Sequence, residues 1–114
     1  MINPKDIMAK RSGKGPIMAD YDGTWSDSNK VKKVAEAIIT GASFEEYNRI
    51  SKDDKINIPI FFNPAKKDEI SVMNIICHKS KIINKTGAKI YYENDPHIAE
   101  RLKKLCPDCE IKLV

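Results

Sequence analysis

Apolar and polar positions along the 114-residue chain follow two alternating periods. Short, nearly continuous apolar runs recur at Ile17 to Asp22, Ala37 to Thr40, Ile56 to Phe62, Ala88 to Tyr92 and Glu110 to Val114. Such runs, bounded by turn residues, mark strands with both faces buried. Between them the apolar residues fall at helical spacing. Val31, Val34, Ala35 and Ile38 form one stripe, which hands over near Glu36 to the second strand. Gly41 is expected to break that strand, and Ser43-Phe44-Glu45-Glu46 reads as a capping box opening a helix from Phe44 to about Ser51, with Ser43 as cap and Glu46 reaching back. The polar stretch Lys52 to Lys55 links it to the third strand. Pro59 has no amide donor, which places that strand at a sheet edge.

From Asp68 onward Ile70, Met73, Ile76 or Cys77, Ile82, Ile83 and Thr86 predict helix up to Gly87, which suits a left-handed stop. The pattern leaves open one helix or two broken near His78. Asp95-Pro96 opens the last helix, with Ile98, Leu102 and Leu105 facing inward, and Cys106-Pro107 closes it. Strands alternating with helices imply a parallel sheet with right-handed crossovers, covered on both faces. The expectation is an α/β protein, a three-layer α/β/α Rossmann-like fold with a five-stranded parallel sheet.

Composition narrows the picture only in part. The length suits one domain, Ile17 to Val114, preceded by a flexible basic arm, Met1 to Pro16, that carries Lys5, Lys10, Arg11 and Lys14 against Asp6. A net charge of +4 suits an anionic substrate, but the lysines are scattered through the chain rather than grouped into a nucleic-acid footprint. No run approaches the roughly 18 apolar residues of a membrane span, and the polar amino terminus lacks the apolar core of a secretory signal. Three cysteines offer no disulfide framework and point to a reduced, cytoplasmic setting. Cys106 and Cys109 have the spacing of half a zinc site, with no second cysteine pair to complete it.

Open parallel sheets bind ligands at the carboxyl ends of their strands. There the first strand carries Asp20 and Asp22, which share a face if the strand runs through both. The second carries Thr40 and Gly41, and the fourth Glu93, Asn94 and Asp95. Lys79 lies on the helical stretch leading to the fourth strand, with Lys81 the alternative two residues on. Acids that hold a hard cation, a carboxylate that attacks phosphorus, and a hydroxyl and an ammonium that neutralise phosphate oxygens are the groups phosphoryl transfer uses. His78 reads as a surface or helix-cap residue, and Trp25 as either core or pocket lining.

Asp20-Tyr21-Asp22-Gly23-Thr24, then Ile38-Ile39-Thr40-Gly41, then Lys79, then Glu93-Asn94-Asp95 resembles, in order, the motif series of the haloacid dehalogenase (HAD) superfamily. The resemblance implies a small phosphatase without a cap domain, dependent on Mg²⁺. It makes Asp20 the nucleophile and a metal ligand, and Asp22 the proton donor and acceptor whose backbone carbonyl also ligates the metal. Thr40, Gly41 and Lys79 would hold the phosphate, and Glu93 or Asp95 would complete the metal shell. Ala42 stands where many relatives have an arginine. A site without a cap suits a large phosphorylated substrate, and a nucleotide or polynucleotide end fits the basic charge, although no residue is seen to read a base. The competing expectation is a non-catalytic HAD-like module that binds phosphate or nucleic acid.

Overall fold

The computed structural model describes residues 14–52 and 56–114. Most of the basic arm and most of the Lys52 to Lys55 linker lie outside the described residues. Five strands form one all-parallel sheet in the order β3-β2-β1-β4-β5. They are β1 (Ile17–Ala19), β2 (Ala37–Ser43), β3 (Ile60–Asn63), β4 (Ile90–Glu93) and β5 (Glu110–Leu113). The helices are α1 (Asn29–Val34), α2 (Tyr47–Ser51), α3 (Val72–Thr86) and α4 (Pro96–Leu105). The three-layer Rossmann-like arrangement expected from the alternating periods is the one found.

The two faces of the sheet follow from strand alternation. Met18, Ala37, Ile39, Tyr91 and Ile111 point to one side, where they pack with Ile76 and Ile83 of α3 and Ile98, Ala99 and Leu102 of α4. Ala19, Ile38 and Tyr92 point to the other, against Tyr21, Trp25, Val31, Ala35 and Ile50. Each strand of the centre is therefore apolar on both faces, which is why the sequence shows runs there rather than alternation.

Several local expectations are corrected. The first strand is shorter than Ile17 to Asp22. After Ala19 the chain enters a single wide turn, Tyr21–Trp25, in which the Trp25 and Ser26 amides reach the carbonyls of Asp20 and Tyr21 at 3.0 Å each. Gly41 does not break β2, which continues to Ser43 with a register shift against β3 between Ile39 and Ser43. A β-carbon there would lie 3.1 Å from the Ile75 side chain of α3, which would have to shift slightly to admit it. Ser43 does cap, but it accepts from the Glu45 amide at 3.0 Å, and its hydroxyl donates to Glu45 rather than Glu46 at 3.2 Å. The chain then makes a short, tight turn at Phe44–Glu46 before α2.

The third strand is Ile60–Asn63 rather than Ile56 to Phe62, and the stretch from Asp68 first makes a short turn, Lys67–Glu69, before its helix begins at Val72. β3 lies at the sheet edge, as Pro59 requires. The long helical stretch is one helix from Val72, capped by the Ser71 side chain, and Gly87 ends it in the left-handed conformation (φ 65°). Asp95 caps α4, with Pro96 at its first position. Gly15 belongs to the fold rather than to a free arm, because its amide donates to the Gly87 carbonyl at 2.7 Å. Among the described residues no helix is long and apolar enough to cross a membrane.

Strand order reverses between β1 and β4. β2 and β3 lie to one side of β1, and β4 and β5 to the other. The crevice that such a reversal opens lies over the carboxyl ends of β1 and β4, and it holds the acids singled out above.

Candidate active site

Register alone brings two of the acids together. Met18 pairs with Tyr91 across the β1–β4 boundary, so Asp20 and Glu93, each two residues on, project from the same face of adjacent strands. Both are buried, at 7% and 1% exposure. Two carboxylates so placed repel each other. α3 supplies the counter-charge: the Lys79 ammonium donates to Asp20 Oδ1 at 3.0 Å and to Glu93 Oε1 at 2.8 Å. Of the two lysines left open by the sequence, Lys79 is buried and reaches both acids, whereas Lys81 lines a separate small cavity beside Cys77 and His78.

Glu93 is further fixed by the Tyr91 hydroxyl, which donates to Oε1 at 2.9 Å, and by the Asp95 amide, which donates to Oε2 at 3.1 Å. Burial holds the Tyr91 phenol well above its usual range, so it remains a donor. Asp20 is held less completely. The Tyr21 amide bonds its carboxylate, and the Thr24 hydroxyl lies 3.5 Å from Oδ2. Burial pushes the Asp20 carboxyl up to about 6, against the pull of Lys79 and with Glu93 adding to the rise.

Asp22 does not converge with Asp20 by strand alternation, because the strand has already ended. The wide turn swings its carboxylate to the solvent side of the crevice, where Arg49 of α2 grips both oxygens, at 3.0 and 3.1 Å. Arg49 also lies 3.5 Å from Glu46, whose other oxygen meets Lys67 at 3.3 Å. Gly23 takes φ 76° in this turn, and a β-carbon there would collide with the Asn94 amide. The turn after β1 and the end of β4 are therefore in direct contact.

Thr40 is buried on β2 with its hydroxyl accepting from the Ala42 amide at 3.1 Å. Gly41 presents its carbonyl to Asn63 at 3.2 Å. Asp95 spends Oδ1 on the amides of His97 and Ile98, at 2.9 and 3.2 Å, so the capping role is real. His78 is buried rather than on the surface, with Nε2 3.3 Å from the Phe61 carbonyl, and burial lowers its pKa. Trp25 belongs to the core, stacked at 6.1 Å on Tyr21. Cys106 is likewise a core residue, beneath α3 and α4.

Asp20, Asp22, Thr40, Gly41, Lys79, Glu93 and Asp95 all line one cavity of about 470 Å³, joined there by Arg49 and Lys67. The sequence offered no pointer to Arg49 or Lys67. Asp22 and Glu46, which they reach, lie 27 and 21 residues away; α2 carries Arg49 to the crevice, and the short turn after β3, Lys67–Glu69, carries Lys67. Among the described residues no three Asp, Glu, His or Cys side chains form a ready-made metal centre. Mg²⁺, however, retains several waters and takes only one or two carboxylates. Asp20, closest to the turn, and Asp95, with its second oxygen outside the cap, are hard-oxygen donors compatible with that demand. Glu93 is less so, since its oxygens are held by shorter bonds, at 2.8, 2.9 and 3.1 Å, than the 3.5 Å contact at Asp20 Oδ2.

No family model matches the chain, and neither a curated protein nor a solved structure shows significant similarity to it.

Two outcomes follow from the Lys79 triad. Removing one member of a buried ion cluster leaves unpaired charge, at a cost of about 3–5 kcal/mol. Lys79→Met should lower the denaturant midpoint accordingly, and adding Asp20→Asn to it should restore part of the loss. The second concerns pH in the metal-free protein. The Asp20 carboxyl is raised from 3.8 to about 6 on folding, so the folded state binds its proton more tightly than the unfolded chain. Its contribution is complete below pH 3.8 and is lost as pH rises through about 6. Thermal melts should show that decline over this window, and Asp20→Asn should flatten it.

Proposed function

We propose that this chain is a Mg²⁺-dependent phosphomonoester hydrolase of the HAD-like type, working through an aspartyl-phosphate on Asp20. The observation that carries the reading is the buried Asp20–Lys79–Glu93 triad at the floor of an open crevice. It orients a carboxylate toward the cavity while a lysine pinned by Glu93 stands beside it. Asp20 attacks phosphorus, and the ester oxygen leaves with a proton from Asp22. Water then attacks the phosphorus of the acyl phosphate, giving its proton back to Asp22. Inorganic phosphate departs and Asp20 is restored.

Asp20 and Asp95 would hold the metal ion, with the Asp22 backbone carbonyl. When bound, the ion offsets the repulsion between a carboxylate and a phosphate dianion. Lys79 serves the same end from the core side. Thr40 and the backbone around Gly41 line the wall where the phosphate oxygens would lie. Arg49 fills the place left by Ala42, where the resemblance leads one to expect an arginine. Its guanidinium comes from α2 instead, and in the free protein it waits on Asp22. An arriving phosphate offers the same bidentate geometry with more charge, so substrate binding would draw Arg49 off Asp22 and free that carboxylate to carry a proton.

A second reading is a non-catalytic phosphate-binding module, which the two-pronged Asp22–Arg49 pair favours because it occupies the proton-carrying acid. Hydrolysis of an aryl phosphate separates the two. Activity should require Mg²⁺ and fall by about a thousandfold or more in Asp20→Asn. Phosphate binding without turnover in the native chain would establish the module instead. In the enzyme, Arg49→Ala should raise KM about tenfold, with a smaller change in kcat, when steady-state rates are measured across substrate concentration.

A further inference from the structure

An aromatic cluster adjoins the crevice. Phe44, Tyr47 and Phe62 meet with ring centroids 5.3, 5.4 and 5.9 Å apart. Phe62 is partly buried against the core, but Phe44 and Tyr47 stand out at 64% and 47% exposure. Exposed rings in contact with one another form a contiguous apolar patch, the kind of surface that marks interaction sites. Their position is specific. Ser43, at the end of β2, lines both the catalytic cavity and a neighbouring hollow of about 330 Å³ walled by Phe44, Pro64 and Lys66. The rings therefore begin where the phosphate crevice ends.

Three cations stand at this junction. Lys66 and Lys67 are exposed side by side on the rim, and Arg49 faces the crevice from α2. Among the acids nearby, Glu46 pairs with Arg49 and Lys67, at 3.5 and 3.3 Å, Glu45 accepts from the Ser43 hydroxyl and the Lys67 amide, at 3.2 and 2.6 Å, and keeps its charge, and Asp68 and Glu69 stand exposed beside Lys67. A ligand that fills both places carries a phosphate and, next to it, a flat ring. Exposed aromatic faces flanked by cations are how proteins hold single-stranded nucleic acid without reading sequence.

We propose that Phe44 and Tyr47 form a base-stacking shelf, and that the substrate is the phosphorylated end of a single-stranded nucleic acid. Its terminal phosphate lies in the crevice beside Lys79 and its adjoining base lies on the shelf. The place given to the phosphate rests on the hydrolase reading above; the shelf itself rests on the rings.

Fluorescence anisotropy with a labelled short oligothymidylate, phosphorylated at the 5′ end or at the 3′ end, tests the shelf. A strand of the same length and phosphate count with abasic spacers is the control. The Phe44→Ala/Tyr47→Ala variant should bind the thymidylate at least about tenfold more weakly than the native chain. Phe44→Leu keeps apolar bulk without a ring and should also weaken binding, whereas Phe44→Trp should preserve it. The abasic strand should bind the native chain as weakly as thymidylate binds the double variant. Equal binding of abasic and normal strands, or full binding by Phe44→Leu, overturns the proposal. So does a sedimentation result in which the native chain is a dimer that the double variant dissolves, since the rings would then be a contact between copies. Aryl phosphate hydrolysis, scored separately, keeps the two readings apart. Turnover without base-dependent binding removes the shelf alone, and base-dependent binding without turnover removes the hydrolase alone.

Discussion

The site depends on one buried ammonium. β1 and β4 pair in a register that sets Asp20 beside Glu93, an arrangement the sheet could not tolerate unaided. Lys79 makes it possible, reaching from the middle of α3 to within 3.0 Å of both carboxylates. The requirement constrains the layer above the sheet as much as the strands. α3 has to pass close over β2, close enough that Ile75 rests on the bare backbone of Gly41. The packing of α3 and the electrostatics of the crevice are therefore two consequences of one helix position.

The same chain segment gives its two aspartates opposite surroundings. Asp20 continues the line of β1 into the core, where loss of water dominates its protonation. Asp22, two residues later, is carried outward by the wide turn and meets a guanidinium at the surface of the crevice. A strand running through both would have given two equivalent acids. The turn divides them into one fixed inside by an ammonium and one held at the surface by a guanidinium.

Much of this was legible in the sequence, for physical reasons. Runs buried on both faces reveal a parallel sheet, and the caps at Ser71, Asp95 and Gly87 declare themselves through side-chain chemistry or backbone freedom. Asp20, Thr40, Lys79 and Asp95 sit at strand ends or their approaches, where such sheets place ligands. What escaped was set by tertiary path. Arg49 reaches Asp22 only because α2 crosses the crevice, and no local pattern encodes that crossing. The capping box failed for a related reason: the chain tightens at Phe44–Glu46, so Glu45 serves Ser43 while Glu46 turns to Arg49 and Lys67. His78 looked like a surface residue because its polarity gives no sign of the Phe61 carbonyl waiting beneath.

Asn94 stands between two acids, directly over Gly23. An amide in that position can lie against the turn's backbone without adding to the negative charge already gathered from Asp20, Asp22, Glu93 and Asp95. A carboxylate there would add a sixth anion to a described lining that already holds Asp20, Asp22, Glu46, Glu93 and Asp95 against three cations, Lys79, Arg49 and Lys67. The neutral residue in the acidic cluster thus fills the space over Gly23 without adding charge to a mouth already crowded with acids.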